Sequence, residues 1–178
     1  MNLTLFMVLL VFGYILVLAY RHWSGRDWLP RELKGAKLIE VEQDQNTQSI
    51  LDDGQGGKRQ VVLAGRGDQA YLTPSGELVP IEFKNHHTHQ VYETDIAQIS
   101  LQGWQARQKG TKTAPFGFVV VRGRNNGQRK AMKVKLLDDR SCEQLINRYI
   151  DLVYERATPT PSKSAKCRSC GHQRRCPA

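Results

Sequence analysis

The sequence predicts an α/β domain preceded by one N-terminal transmembrane helix. Short alternating or apolar runs bounded by turn residues indicate the strands, and two longer amphipathic segments indicate the helices. The chain has 178 residues, of which 40% are hydrophobic and 24% are charged. These proportions exclude a largely disordered chain and a collagen-like one. We therefore expect a domain large enough to bury its own core.

The N-terminal segment is apolar from residue 3 to residue 20, with Thr4 as its one weakly polar side chain. As a helix rising about 1.5 Å per residue, it measures roughly 27 Å, close to a bilayer core. A signal peptide would carry Lys or Arg before the apolar run. Here none precedes it, and Arg21 follows it. We predict a retained single-pass anchor in the inner (cytoplasmic) membrane, with the C-terminal domain cytoplasmic. A cleaved signal peptide and a buried core helix are the alternatives.

The next elements are strands joined by turns. Residues 37–42 alternate as a strand, and the polar, Gly-rich stretch 44–57 predicts a loop. Two further strands are predicted at 60–72 and 78–84. They should pair as a hairpin, because Thr-Pro-Ser-Gly at 73–76 is a turn signal.

The second half of the chain continues the α/β pattern. Apolar residues at helical spacing predict a helix over 93–108. Strands follow at 116–121 and 129–137, joined at Asn-Asn-Gly 125–127, which is a typical hairpin turn.

The last helix should begin at a capping box formed by Ser141 and Gln144. We expect it to bury a stripe of apolar side chains: Leu145, Ile146, Tyr149, Leu152 and Val153.

These elements divide the chain into four predicted regions. A transmembrane anchor occupies 1–22 and a basic juxtamembrane linker 23–36, in which Trp28 could serve as an interfacial anchor. The core occupies 37–157, and a Cys-rich metal-binding tail occupies 158–178.

The charge is strongly basic and uneven. Lys and Arg number 26 against 17 Asp and Glu, so the net charge is +9. Between Ile96 and Leu137 there is no acidic residue. Such a cluster attracts polyanions, either a nucleic-acid backbone or an anionic membrane, although a solvated basic face is the simpler alternative. The basic residues of this region are Arg107, Lys109, Lys112, Arg122, Arg124, Arg129, Lys130, Lys133 and Lys135.

The predicted hairpin carries an acidic cluster. Asp68 lies in its first strand, and Glu82 and Lys84 lie two apart on the second, so they project from one face. Two carboxylates and the carbonyl of Phe83 are oxygen ligands suited to a hard divalent cation. Lys84 could orient water or offset charge on a phosphate. The set therefore predicts metal-assisted phosphodiester hydrolysis.

Three motifs around this hairpin resemble the PD-(D/E)XK nuclease superfamily: Gly65-Arg-Gly-Asp68, Val79-Pro-Ile-Glu82-Phe-Lys84 and Asp95-Ile-Ala-Gln98. Within it, the chain is similar to the RecB-like CRISPR-associated exonuclease family, over roughly residues 35–178. The resemblance implies a restriction-endonuclease-like fold, in which a mixed sheet is flanked by helices. It also implies an exonuclease-like deoxyribonuclease dependent on Mg or Mn. The DNA would be single-stranded or have free ends.

The resemblance also implies roles for individual residues. Asp68 and Glu82 would bind the metal, Lys84 would be the catalytic lysine, and Gln98 would help orient the site. A further acidic residue often precedes the Asp strand in such sites. Glu42, or less favourably Glu40, is the candidate here.

The family ends in a Cys-x2-Cys-x5-Cys pattern, which Cys167, Cys170 and Cys176 match. By resemblance, these cysteines would help bind a 4Fe–4S iron–sulfur cluster, although the family's first cluster Cys has no counterpart in this chain. Cys142 or His172 could supply a fourth ligand. Zinc is a second possibility, because it binds Cys and His ligands at short spacing, and a tail without metal is a third.

Three histidines, His86, His87 and His89, follow the second hairpin strand. They could bind metal or phosphate, or form a solvated loop. For the whole chain, the alternatives to a membrane-anchored nuclease are a non-catalytic, membrane-tethered DNA-binding module and a metal-binding scaffold organised by the Cys tail.

Overall fold

The computed structural model separates the chain into two compact units, Met1–Cys142 and Glu143–Ala178. The first unit contains the whole sheet and the acidic hairpin. The structure describes residues 3–23, 28–54, 56–123, 128–161, 165–171 and 173–176.

A five-stranded mixed sheet forms the first unit, with its strands in the order β1-β2-β3-β4-β5. Neighbouring strands are antiparallel except for β3 and β4, which are parallel and are connected through helix α2 (Glu93–Gln108). The predicted mixed α/β fold is therefore confirmed. The strands are β1 (Lys37–Asp52), β2 (Lys58–Leu72), β3 (Leu78–His86), β4 (Phe116–Gly123) and β5 (Arg129–Lys135).

The first two strands form a long hairpin where we predicted a loop over 44–57. β1 continues to Asp52 and stays paired with β2 until Asp52 faces Lys58. The prediction was wrong because some inward-facing positions of β1 are polar, which conceals the alternation of buried and exposed residues along the strand. Thr47 and Leu51 are buried, at 4% and 1% exposure, while the residues between them are more exposed.

The hairpin of β2 and β3 is confirmed. Leu72 faces Leu78, and the turn between them is closed by the Thr73 backbone N–H donating to the Glu77 carbonyl oxygen at 2.9 Å. β4 and β5 also pair as predicted, with Val121 opposite Lys130. The predicted Asn-Asn-Gly turn at 125–127 lies outside the described residues.

The sheet has a core on each face. On one face, Trp28 and Leu33 pack with Ile81 and Phe118. Trp28 therefore lies in the core and is not an interfacial anchor. Within the predicted linker 23–36, residues 28–36 contribute to this core. On the opposite face, α2 packs through Ile99 against an apolar cluster that includes the β4 residues Val119 and Val121.

Gly117 allows α2 and β3 to approach β4 closely. A Cβ atom there would lie 2.8 Å from the Ile99 Cδ1 and 2.9 Å from the Pro80 carbonyl oxygen. Both distances are shorter than a carbon atom tolerates, so a side chain at this position would push α2 away from the sheet.

Helix α1 occupies Leu3–Trp23. The side chains from Leu5 to Tyr20 are exposed. Among the described residues, no helix combines the length and the apolar character needed to span a membrane. The predicted transmembrane helix therefore has no support from this structure.

Helix α3 (Asp139–Val153) begins earlier than predicted. The Asp138 Oδ1 accepts a hydrogen bond from the Ser141 backbone N–H at 2.8 Å, so Asp138 caps the helix in place of Ser141. A hydrogen bond from the Ser141 side chain, together with this one from the Ser141 backbone, lowers the pKa of Asp138. Ile146 is buried, but Tyr149 is 69% exposed. The expected burial of the stripe was thus wrong for Tyr149, and also for Leu145 and Val153, which are exposed.

Candidate active site

The site begins where β2 and β3 separate. Their backbone pairing ends at Gln69 and Ile81. One residue further, the Asp68 Oδ2 accepts a hydrogen bond from the Phe83 backbone N–H at 2.7 Å. The Phe83 N–H thus pairs with a side-chain carboxylate instead of a backbone carbonyl of β2, and this contact fixes Asp68 beside Glu82.

Glu82 is buried, with 2% of its surface exposed, and accepts hydrogen bonds from three side chains. The Lys84 Nζ and the Gln98 Nε2 both donate to its Oε1 at 2.7 Å. The Gln102 Nε2 donates to its Oε2 at 2.6 Å. Lys84 also donates to the Gln98 Oε1 at 2.7 Å, so Glu82, Lys84 and Gln98 form a closed ring of hydrogen bonds.

Burial raises the pKa of Glu82 above its ordinary value. Desolvation is the largest cause, and the negative charge of Asp68 adds to it. Hydrogen bonds from Lys84 and Gln102 partly oppose the rise. Burial therefore disfavours the anionic form of Glu82.

A polar stripe on α2 faces this region of the sheet. Asp95, Gln98, Gln102 and Gln105 recur at helical spacing, and all but Gln98 are buried. Each has partners: Gln105, for example, donates to the Leu63 carbonyl oxygen at 2.8 Å. Gln98 was predicted from the sequence and Gln102 was not, although Gln102 follows Gln98 at a spacing of four residues.

The donor set fits a hard divalent cation. A carboxylate can accept about four hydrogen bonds or metal contacts. Glu82 has three partners, and in the part of the chain that the structure describes the Asp68 Oδ1 has no recorded hydrogen bond. Proteins commonly hold Mg²⁺ by one or two carboxylates, and two carboxylates lie together here. The carbonyl of Phe83 stays a predicted ligand that no contact tests.

Neither of the other predicted acidic residues is recorded in contact with the pair. Glu42 forms an exposed ion pair with Arg66 at 3.2 Å, and Glu40 accepts a hydrogen bond from the Gln45 Nε2 at 2.7 Å. Within the described ranges, no group of three His, Cys, Asp or Glu residues is arranged to hold a metal ion. Any cation at the site would thus rely on two carboxylates.

The cysteines are in two kinds of environment. Cys142 is fully buried, its Sγ lies 3.7 Å from the Ser100 carbonyl oxygen, and burial raises its pKa to about 11. A neutral, buried thiol is poorly suited to be a ligand. Cys167 is half-buried, whereas Cys170 and Cys176 are exposed. His172 lies outside the described residues. The described cysteines do not form a metal-binding group, so the predicted cluster stays a prediction.

The basic residues of β5 divide between the two faces of the sheet. Lys130 lies opposite Val121, which lies opposite Lys84, so Lys130 and Lys84 project from the same face. Arg129 and Lys133 project from the other face. The Arg129 Cζ lies 5.6 Å from the centroid of the Phe83 ring, and Lys133 lies over the Phe116 ring. Only part of the basic region therefore faces the acidic pair.

Comparison with known proteins yields a fold likeness. No known family model matches the chain, and no curated protein matches it. The crystal structure of SSO0001 is similar, with a TM-score of 0.54 and 19% sequence identity, covering 94% of this chain and 69% of that one. At this identity the likeness indicates a shared fold alone.

Proposed function

We propose that this protein is a metal-dependent nuclease of the PD-(D/E)XK type that hydrolyses DNA phosphodiester bonds. The observation that carries the proposal is the cluster of Asp68, buried Glu82 and Lys84 at the point where β2 and β3 separate. Mg²⁺ or Mn²⁺ is the proposed ion. DNA that is single-stranded or has free ends is the proposed substrate, and exonuclease-like action is the proposed mode.

Each residue has a defined task in this proposal. A divalent cation held by Asp68 and Glu82 would supply Lewis-acid stabilisation of charge that develops on the phosphate. Lys84, whose Nζ is fixed by Glu82 and Gln98, orients the attacking water and offsets the charge of the phosphate. The Phe83 backbone N–H holds the Asp68 carboxylate in place. These contacts exist before substrate binds, so little reorganisation is required.

DNA would approach at Lys84 and Lys130, on the part of their shared face of the sheet that α2 leaves accessible: 21% of the Lys84 side chain is exposed, and Lys130 is exposed. Both side chains project from that face, separated by one strand. Phosphate contacts by Lys and Arg release counterions, so affinity for DNA should fall steeply with salt.

The proposal also retains membrane attachment and a metal in the tail. Attachment through α1 is supported by the apolar side chains that the helix exposes from Leu5 to Leu18. Recovery of the full chain in the membrane fraction after a carbonate wash would test it. The Cys spacing supports an iron–sulfur cluster or zinc, which visible absorption and metal analysis of anaerobically purified protein would distinguish.

The nuclease proposal is tested with the full chain in detergent, on end-labelled single-stranded DNA, with Mg²⁺ or with EDTA. The parent should cleave only with the metal, and Asp68→Asn should abolish cleavage. Glu77→Gln is the matched control, because Glu77 is a carboxylate of the same hairpin that pairs with Lys112 outside the site. Equal cleavage by the parent and Asp68→Asn would refute the proposal.

A non-catalytic DNA-binding module is the second candidate. It is favoured by one observation: Glu82 is already satisfied by three donors without any cation. This candidate predicts DNA binding that survives EDTA, with no cleavage in the presence of any divalent metal.

A further inference from the structure

His86 continues the row of side chains formed by Glu82 and Lys84. All three lie on β3 at two-residue intervals and therefore project from the same face. Each also meets α2: Glu82 and Lys84 contact Gln98, and the His86 Nε2 lies 3.0 Å from the Asp95 Oδ2. The polar stripe of α2 thus extends past the acidic pair to this histidine, which the proposed mechanism does not use.

The ring of His86 is held from two sides. Besides the contact with Asp95, it packs edge-on against the Tyr92 ring, with 4.8 Å between the ring centroids. Asp95 is 4% exposed, and its Oδ2 also accepts a hydrogen bond from the Tyr92 backbone N–H at 2.9 Å. A buried carboxylate is costly unless it is paired. This pairing therefore fixes the imidazole before any ligand arrives.

One nitrogen of the fixed ring stays available. In the described part of the chain no hydrogen bond is recorded for the His86 Nδ1, and 21% of the side chain is exposed. With Nε2 directed at a carboxylate, a protonated ring presents its second N–H at Nδ1 to an anion. His86 lies two residues beyond Lys84 on an extended strand, so their Cα atoms are about 7 Å apart.

We propose that His86 binds a backbone phosphate of the nucleic-acid strand, next to the phosphate that Lys84 contacts. Asp95 is its positioning residue. The inference rests on the proposed function for the class of substrate, and it adds a binding subsite that orients the strand along β3. His86 is thus a binding residue, distinct from the groups at the reacting phosphate.

A purely structural role for His86, fastening the start of α2 to β3, makes a different prediction. Gln at this position can still donate a hydrogen bond to Asp95, but it cannot carry a positive charge to a phosphate. His86→Gln therefore keeps the structural contact and removes the phosphate contact. His89→Gln is the matched control, because His89 is a nearby histidine whose Nε2 instead contacts the Gln128 carbonyl oxygen at 3.0 Å.

The experiment measures binding of a fluorescent single-stranded DNA to the full chain in EDTA, and cleavage kinetics with Mg²⁺. His86→Gln should weaken DNA binding and raise KM roughly tenfold, with kcat and the melting temperature nearly unchanged. A DNA with one neutral methylphosphonate next to the cleaved bond should bind the parent as weakly as it binds His86→Gln.

The outcomes separate this inference from the proposed function. Unchanged affinity and KM in His86→Gln would overturn the inference, even if the parent cleaves DNA. A loss of affinity equal to that of His89→Gln would also overturn it. If the parent never cleaves but His86→Gln binds DNA tenfold more weakly, the nuclease proposal fails and the phosphate subsite stands.

Discussion

Removal of the Lys84 ammonium group tests both the stability and the chemistry of the site. Lys84→Met keeps the aliphatic stem and deletes the charged donor that lies 2.7 Å from the Glu82 Oε1. The two side chains are only 21% and 3% exposed. Breaking a buried pair of this kind costs about 3–5 kcal/mol when the remaining charge stays ionised.

Protonation of Glu82 limits that cost. Lys84 lowers the pKa of Glu82, so its loss raises that pKa further. The destabilisation of Lys84→Met should therefore be largest at alkaline pH and shrink as acid protonates Glu82. Chemical denaturation across the pH range, without divalent metal, would measure it. A constant difference in the free energy of unfolding would contradict the assignment of a coupled pair.

The effect on activity should be larger than the effect on stability. Loss of one preorganised charged group in an active site lowers kcat by about 10²–10³. Lys112→Met is the matched control, since Lys112 pairs with Glu77 at 3.2 Å while 70% exposed, and such pairs contribute at most about 1 kcal/mol. Cleavage by Lys84→Met within about threefold of the parent would refute the reasoning.

Three further predictions concern the same face of the sheet. Because the folded pKa of Glu82 lies above its ordinary 4.5, the parent loses stability as pH rises through that pKa. In metal-free denaturation, the free energy of unfolding of Glu82→Gln should therefore rise relative to that of the parent as the pH increases. If the difference between the two proteins did not change with pH, the raised pKa of Glu82 would be contradicted. Gln102→Leu should cost about 1–3 kcal/mol by the same assay, because the Glu82 Oε2 loses its donor at 2.6 Å, and a neutral result would contradict this. Gly117→Ala should cost about 1–3 kcal/mol, because its Cβ would meet the Pro80 carbonyl oxygen at 2.9 Å, and an unchanged melting temperature would show that the strands can shift.

Local patterns were sufficient to predict the hairpin that carries the site. Alternation in β3, the turn at 73–76 and the spacing of Glu82 and Lys84 are properties of adjacent residues. They place both side chains on one face without knowledge of the rest of the fold. The boundaries of α2, Glu93–Gln108, were likewise predicted because apolar residues recur there at helical spacing.

Other features depend on contacts between distant segments. Gln102 gains its role only when α2 packs on β3, where it reaches Glu82 across 20 residues of sequence. Trp28 follows an apolar helix and a basic flank, so nothing near it in sequence indicates the core that it joins. In β1, the inward side of the strand includes polar residues such as Thr47, which conceals the alternation.

The central claim is that Asp68 and Glu82 together hold one divalent cation. Titration calorimetry of the full chain with Mn²⁺, compared with Asp68→Asn, tests it most directly. We expect the parent to bind one ion per chain at this pair and Asp68→Asn to lose that binding. If Asp68→Asn binds Mn²⁺ with the same affinity and stoichiometry as the parent, the cation lies elsewhere and the account is contradicted.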